Sequence, residues 1–175
     1  MKTRQSNQAS QRRAINHNNC DVSLIERGNY EYAAVALASA LKTCRKMMDE
    51  TCDYSEPITT SLDQCMEESR AQGNFYRDSC GDLNEQFLYE QAILLPMNLG
   101  CRSYKTSVMI SSMVTLNLAL ANQLFAMNHK ESNDALLRKA AKLYELGFSM
   151  QQEENFDNNT LFTLATVNNM GLIHN

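Results

Sequence analysis

Between Tyr30 and Met48 the chain reads "YEYAAVALASALKTCRKMM", and apolar residues return every three or four positions along it. Tyr30, Ala33, Ala34, Leu37, Ala40, Leu41, Cys44, Met47 and Met48 share one face at helical spacing. The same rhythm returns in "ALLRKAAKLYELGFSMQQEE", where Leu136, Leu137, Ala140, Ala141, Tyr144, Gly147 and Phe148 line up. A period of 3.6 cannot be laid onto a strand, whose faces alternate with period two. An all-α chain is therefore predicted. Composition agrees: Trp is absent and the only prolines are Pro57 and Pro96, so little interrupts a helix.

Each long helix has a companion upstream. "RRAINHNNCDVSLIER" carries Ile15, Val22 and Ile25 and stops at Gly28-Asn29, a helix stop followed by a turn. Tyr104 to Met127 is a second helix-length stretch, and the polar break "NHKESND" follows it, with Ser132 or Asn133 able to cap the next helix. Short turns between such helices give antiparallel hairpins. The expected organisation is a basic arm over 1–12, disordered by composition, and a first hairpin over 13–50. An acidic insertion over 51–103, a second hairpin over 104–153 and the first helix of a third repeat over 158–175 follow.

The insertion loses the rhythm. Between Asp49 and Glu90 its only bases are Arg70 and Arg77, which reads as a solvated loop. One short helix is predicted around Ser61–Ser69, with Leu62, Cys65 and Met66 on one side. Phe87–Leu95 reads as an extended or β segment stopped by Pro96.

The second helices of the two hairpins can be superposed. Small residues at Ala33 and Ala140 are followed by large ones at Leu37 and Tyr144, then small ones at Ala40 and Gly147. Such spacing lets two helices approach closely around one bulky side chain. The first helices match as well: "NNCDV", "TLNLAL" and "VNNMGL" place Asn19, Asn117 and Asn169 two residues before Asp21, Ala119 and Gly171. Self-similar helix pairs are the mark of a solenoid.

On these residues the chain resembles the tetratricopeptide repeat (TPR) family. Leu24, Gly28-Asn29-Tyr30, Ala33, Leu37 and Ala40 carry the first repeat, and Ala119, Ala140, Tyr144 and Gly147 the second. "NLAL" and "NNMGL" are similar to the longer repeats of kinesin-light-chain type, and the whole chain is similar to TPR-like proteins numerous in diatoms. Asp21 departs from the small residue of the family pattern, whereas Gly171 keeps it. The resemblance implies a protein–protein interaction scaffold that binds a partner protein or an extended peptide in a groove lined by first helices. It also implies that the first-helix asparagines hold the ligand main chain. An amide suits that use because it both donates and accepts. Asn19, Asn117 and Asn169 would be the rungs, with Asn18, Val22, Asn122, Gln123, Asn168 and Leu172 as neutral or apolar neighbours. An asparagine on a first helix also serves to satisfy a nearby turn's backbone, so both uses stay open.

Other chemistry is thinly represented. His17, His129 and His174 share no metal-ligand spacing, and no nucleophile elbow, phosphate-cradling loop or HExxH is present. The six cysteines form no CxxC pair, so neither a zinc site nor a redox motif is indicated. Cys20 and Cys44 are expected as small core residues. No metal, cofactor or catalytic residue is assigned, and the chain is read as no enzyme. A net charge of -4 gives no general case for nucleic acid. The uncharged run Ser107–Asn128 is long enough for a bilayer, but its Ser, Thr, Asn and Gln residues favour a buried helix over a membrane span. No secretory leader is visible, which points to a cytoplasmic or nuclear protein with free thiols. Two other readings compete: a structural module that self-associates through its C-terminal helix, and a regulatory enzyme using a cysteine of the insertion.

Overall fold

A computed structural model describes residues 2–50, 62–72, 90–97, 99, 103–129, 134–154 and 159–174. Among them are six helices and no strand: α1 (Lys2–Glu26), α2 (Tyr30–Glu50), α3 (Leu62–Gln72), α4 (Tyr104–Asn128), α5 (Asp134–Glu154) and α6 (Thr160–His174). α1 packs on α2, α2 on α4, α4 on α5 and α5 on α6, while α3 lies against α6 and α1 also touches α4.

The α1–α2 turn follows from one glycine. Gly28 sits at φ 76°, a backbone conformation that costs an L side chain about 1 kcal/mol. There its N–H donates to Ile25 O at 2.9 Å, and the Asn29 N–H donates to Leu24 O at 2.9 Å. These are the two bonds of a Schellman stop, which satisfy carbonyls the helix end would leave bare.

The small-large-small stripe is the packing face. Ala33, Leu37, Ala40, Ala140 and Tyr144 are fully buried, and Tyr30 packs half-buried against the same core. Gly147 is buried, and an added Cβ would meet Phe162 at 3.7 Å and the Ser112 carbonyl at 3.8 Å. Ala119 is buried on α4, but Gly171 is exposed with nothing within 4 Å of a built Cβ. Gly171 therefore makes no close approach, unlike the role its position in the repeat implies.

α4 is the central helix. By length and composition it could cross a membrane, yet almost all of it is buried inside the protein. Several of its polar side chains bond back to the helix itself. Ser111 donates to Ser107 O (2.8 Å), Ser112 to Val108 O (2.9 Å), Thr115 to Ser111 O (2.7 Å) and Asn122 to Leu118 O (2.6 Å). This back-bonding lets hydroxyls and an amide occupy a core that has few other partners for them. Ser103 caps the helix start, its Oγ accepting from Thr106 N at 3.2 Å.

Three expectations are corrected. The arm read as disordered begins α1 at Lys2: no Gly or Pro interrupts it, and Gln11 is anchored in the core. Cys20 is exposed, because the buried stripe of α1 runs through Ala14, Ile15, Asn18, Val22 and Ile25 and leaves position 20 on the far side. The described parts of the insertion, among them the short helix expected around Ser61–Ser69, seat apolar side chains in the core rather than lying wholly in solvent. Leu62, Cys65 and Met66 of α3 are buried, as are Ile93 and Leu95. The remainder of the insertion, with Cys52, Cys80, Cys101 and Phe87, lies outside the described residues.

Candidate functional site: an asparagine clamp on an extended segment

Residues 91–95 are neither helix nor paired strand among the described residues. Their backbone groups would be orphaned in a helical core unless side chains met them. Three helices supply those side chains. Ile93 N donates to Asn117 Oδ1 at 2.7 Å, and Ile93 O accepts from Asn117 Nδ2 at 2.8 Å and Asn18 Nδ2 at 2.9 Å. Leu95 N donates to Asn19 Oδ1 at 2.8 Å, and Leu95 O accepts from Asn19 Nδ2 at 2.8 Å. Between them, Leu94 N donates to Ser69 Oγ at 2.7 Å, and the same hydroxyl donates back to Leu94 O at 3.0 Å.

The pattern follows strand geometry. In an extended chain, residues i and i+2 turn their N–H and C=O to one edge and residue i+1 to the other. Ile93 and Leu95 thus face the amides of α4 and α1, and Leu94 faces α3. Each amide mimics a neighbouring strand by offering one acceptor and one donor. Ile93, Leu94 and Leu95 are therefore held on both edges by side chains.

The clamp is itself braced. Asn117 Nδ2 donates to Asn18 Oδ1 at 2.9 Å, joining α4 to α1, and Asn18 Nδ2 also reaches Asn19 Oδ1 at 3.2 Å. Asn18 and Asn117 are fully buried, whereas Asn19 is half-buried. Further along, Gln11 Nε2 donates to Leu99 O at 2.8 Å, so the segment leaves along α1 towards its start. Ile93 and Leu95 bury their side chains almost completely in the same core as Val22.

Of the other expected site residues, Gln123 and Asn169 meet at Tyr144. Tyr144 donates to Gln123 Oε1 at 2.8 Å and accepts from Asn169 Nδ2 at 3.0 Å, which ties α5 to α4 and α6. Burial pushes the Tyr144 hydroxyl above the ordinary tyrosine range, with the Asn169 bond opposing it. Asn122 turns back on its own helix, and its Oδ1 is buried without a hydrogen-bond partner. Asn168 and Leu172 are half-buried on α6. Asn169 is thus joined to a tyrosine, while Asn19 and Asn117 hold main chain.

Ser69 and Gln11 were not legible as site residues, because a lone Ser or Gln on a helix carries no pattern. The run "AILLP" was a better signal: a short continuous apolar stretch ended by proline fits a buried extended segment. α3 is fixed in place by its own acid. Asp63 Oδ1 accepts from Leu161 N at 2.9 Å and Phe162 N at 3.4 Å, so it caps the start of α6 from another element.

Titratable groups are few in this region. Asp21 is buried on α1 with Oδ2 unpartnered, and burial pushes its carboxyl up to about 6 against a smaller opposing effect of His17. Burial also pushes the Cys44 and Cys65 thiols up to about 12, so neither is a ready thiolate. Among the described residues no three His, Cys, Asp or Glu side chains are grouped to hold a metal ion. A separate concavity of about 580 Å³ opens between α2, α4 and α5, over Leu41, Met48, Val108, Leu118, Leu146 and Met150, and none of the clamp residues lines it.

No protein-family model matches this chain, and no curated protein or solved structure matches it either.

Proposed function

We propose that this chain is a non-catalytic scaffold of TPR type, a short helical solenoid that binds an extended peptide or protein segment. The binding groove is lined by the first helices α1, α4 and α6, and no cofactor or metal takes part. The reading places the protein in the cytoplasm or nucleus. The observation that carries it is the paired grip of Asn19 on Leu95 and of Asn117 on Ile93. Repeat-equivalent asparagines hold main chain at residues two apart, which is the step an extended ligand presents. Because the bonds go to backbone, the same rungs suit many sequences, as β-addition does in other peptide-binding sites.

Peptide-array binding to the full chain, compared with Asn19→Ala/Asn117→Ala, tests the reading. Peptides captured by the wild type and lost by the double variant support it. An array without captured peptides, or capture indifferent to both asparagines, contradicts it. A second reading, self-association, is favoured by Leu164 and Val167 on α6, which are 60% and 53% exposed. Sedimentation decides between them, since a monomer at micromolar concentration excludes the self-associating module.

A further inference from the structure

The clamp already holds something. Residues 93–95 are gripped as an extended ligand would be, yet they belong to the same chain, more than seventy positions away from the α1 amides that hold them. From this resident segment we infer the partner's chemistry: an extended segment with aliphatic side chains at alternate positions, which enters by displacing residues 91–95. The inference rests on the peptide-binding reading above and names the class of ligand for that same site.

Three observations lead there. First, the hydrogen bonds define backbone direction and register but no side chain, so they cannot by themselves choose a sequence. Selection must come from what the side chains enter. Ile93 is 0% and Leu95 2% exposed, and both join the main apolar core, whereas Leu94 between them is only partly buried. Alternate positions are therefore read by burial and the intervening one more loosely.

Second, the groups that hold the three residues are two-sided and neutral. Asn18, Asn19, Asn117 and Ser69 carry no charge, and none of the bonds to Ile93, Leu94 or Leu95 is charge-assisted. Among these four side chains, a segment recognised by a phosphate, a carboxylate or a run of lysines finds no counter-charge. Placing such a charge beside buried Ile93 would leave it desolvated and unpaired.

Third, the site cannot hold two segments. Asn117 uses its acceptor on Ile93 N and its donors on Ile93 O and Asn18 Oδ1, and Asn19 uses both functions on Leu95. A partner must take these bonds from the resident segment, so its affinity is reduced by the fraction of time the site stays filled. Loosening the resident segment without touching the clamp raises affinity for a segment supplied in trans.

The test uses a fluorescent peptide of residues 90–97, "EQAILLPM", against three full-length chains: the wild type, Ile93→Ala/Leu95→Ala and Leu95→Ala. Circular dichroism first establishes that each variant is folded. If the double variant does not fold, the milder Leu95→Ala still loosens the resident segment while leaving every clamp side chain in place, and decides the outcome. The expected result is binding at least about tenfold tighter to a loosened chain than to the wild type. Peptide carrying Ile93→Asp and Leu95→Asp loses at least about tenfold, and peptide carrying Leu94→Gln loses less. Equal binding of the aliphatic and the Asp-bearing peptides overturns the inferred ligand class while leaving a main-chain clamp in place. Equal affinity of the wild type and every folded loosened chain overturns displacement. Failure of any peptide to bind any folded chain contradicts the peptide-binding reading itself.

Discussion

Asn117 on α4 and Ile93 exchange two hydrogen bonds, at 2.7 and 2.8 Å, between a side-chain amide and a main-chain peptide unit. The pair stands where a β-ladder would otherwise be needed, and it lets an extended segment run through a helical core. Asn117→Ala removes both bonds and the brace to Asn18, leaving a buried N–H and a buried amide oxygen without their partners. A loss of about 2–4 kcal/mol is expected from those groups, read as a lower urea midpoint at unchanged slope. Asn19→Ala costs less, about 1 kcal/mol, because half-buried Asn19 leaves a site that water can enter.

Tyr144 ties three helices through one hydroxyl. Tyr144→Phe keeps the ring in the core but removes the bonds to Gln123 and Asn169. The expected loss is about 1–3 kcal/mol by thermal or urea unfolding, with helix content unchanged in the folded state. A neutral outcome contradicts the view that α5, α4 and α6 are joined there.

Asp21 makes stability fall as pH rises from about 4 to about 6. Its carboxyl rises from an ordinary value near 3.8 to about 6 on folding, so the folded chain holds that proton more tightly than the unfolded chain does. The contribution is fully present below about pH 4 and is lost as pH rises through about 6. Asp21→Asn therefore flattens the pH dependence of the urea midpoint between about pH 4 and about 6.5, and the variant is more stable than the wild type above that range.

Thiol labelling separates the cysteines by environment. Cys20 is exposed and reacts quickly with a maleimide at neutral pH, whereas Cys44 and Cys65, both buried and pushed up to about 12, react only as the chain opens. Mass spectrometry of the labelled peptides gives the order. Cys65 reacting as fast as Cys20 would show that α3 is not seated on the core.

The helices were the legible part of this molecule. A 3.6-residue period between Tyr30 and Met48 leaves few choices, and Gly28-Asn29 marks its turn through backbone chemistry that few other residue pairs satisfy. The short helix around Leu62, Cys65 and Met66 also showed in its spacing, although its acids suggested a solvated loop. Burial went the other way because Asp63 caps α6 and Ser69 binds Leu94, and neither contact leaves a local pattern. The asparagines at Asn19 and Asn117 were visible as a repeat feature. Their ligand was not, since pairing residues 19 and 95, or 117 and 93, depends on the path of the whole chain. Cys20 was misplaced by a smaller effect: α1 buries a stripe through Asn18 and Val22, and one position of rotation separates core from solvent.

Backbone amide exchange at Ile93, Leu94 and Leu95 is the most direct measurement of the central claim. The side-chain clamp holds all three N–H groups, so in the wild type they exchange orders of magnitude more slowly than in an unstructured peptide. In Asn117→Ala the protection of Ile93 collapses first while the interior amides of α2 and α5 stay protected. Exchange at unstructured-peptide rates in the wild type would contradict the clamp, and with it the account of the groove.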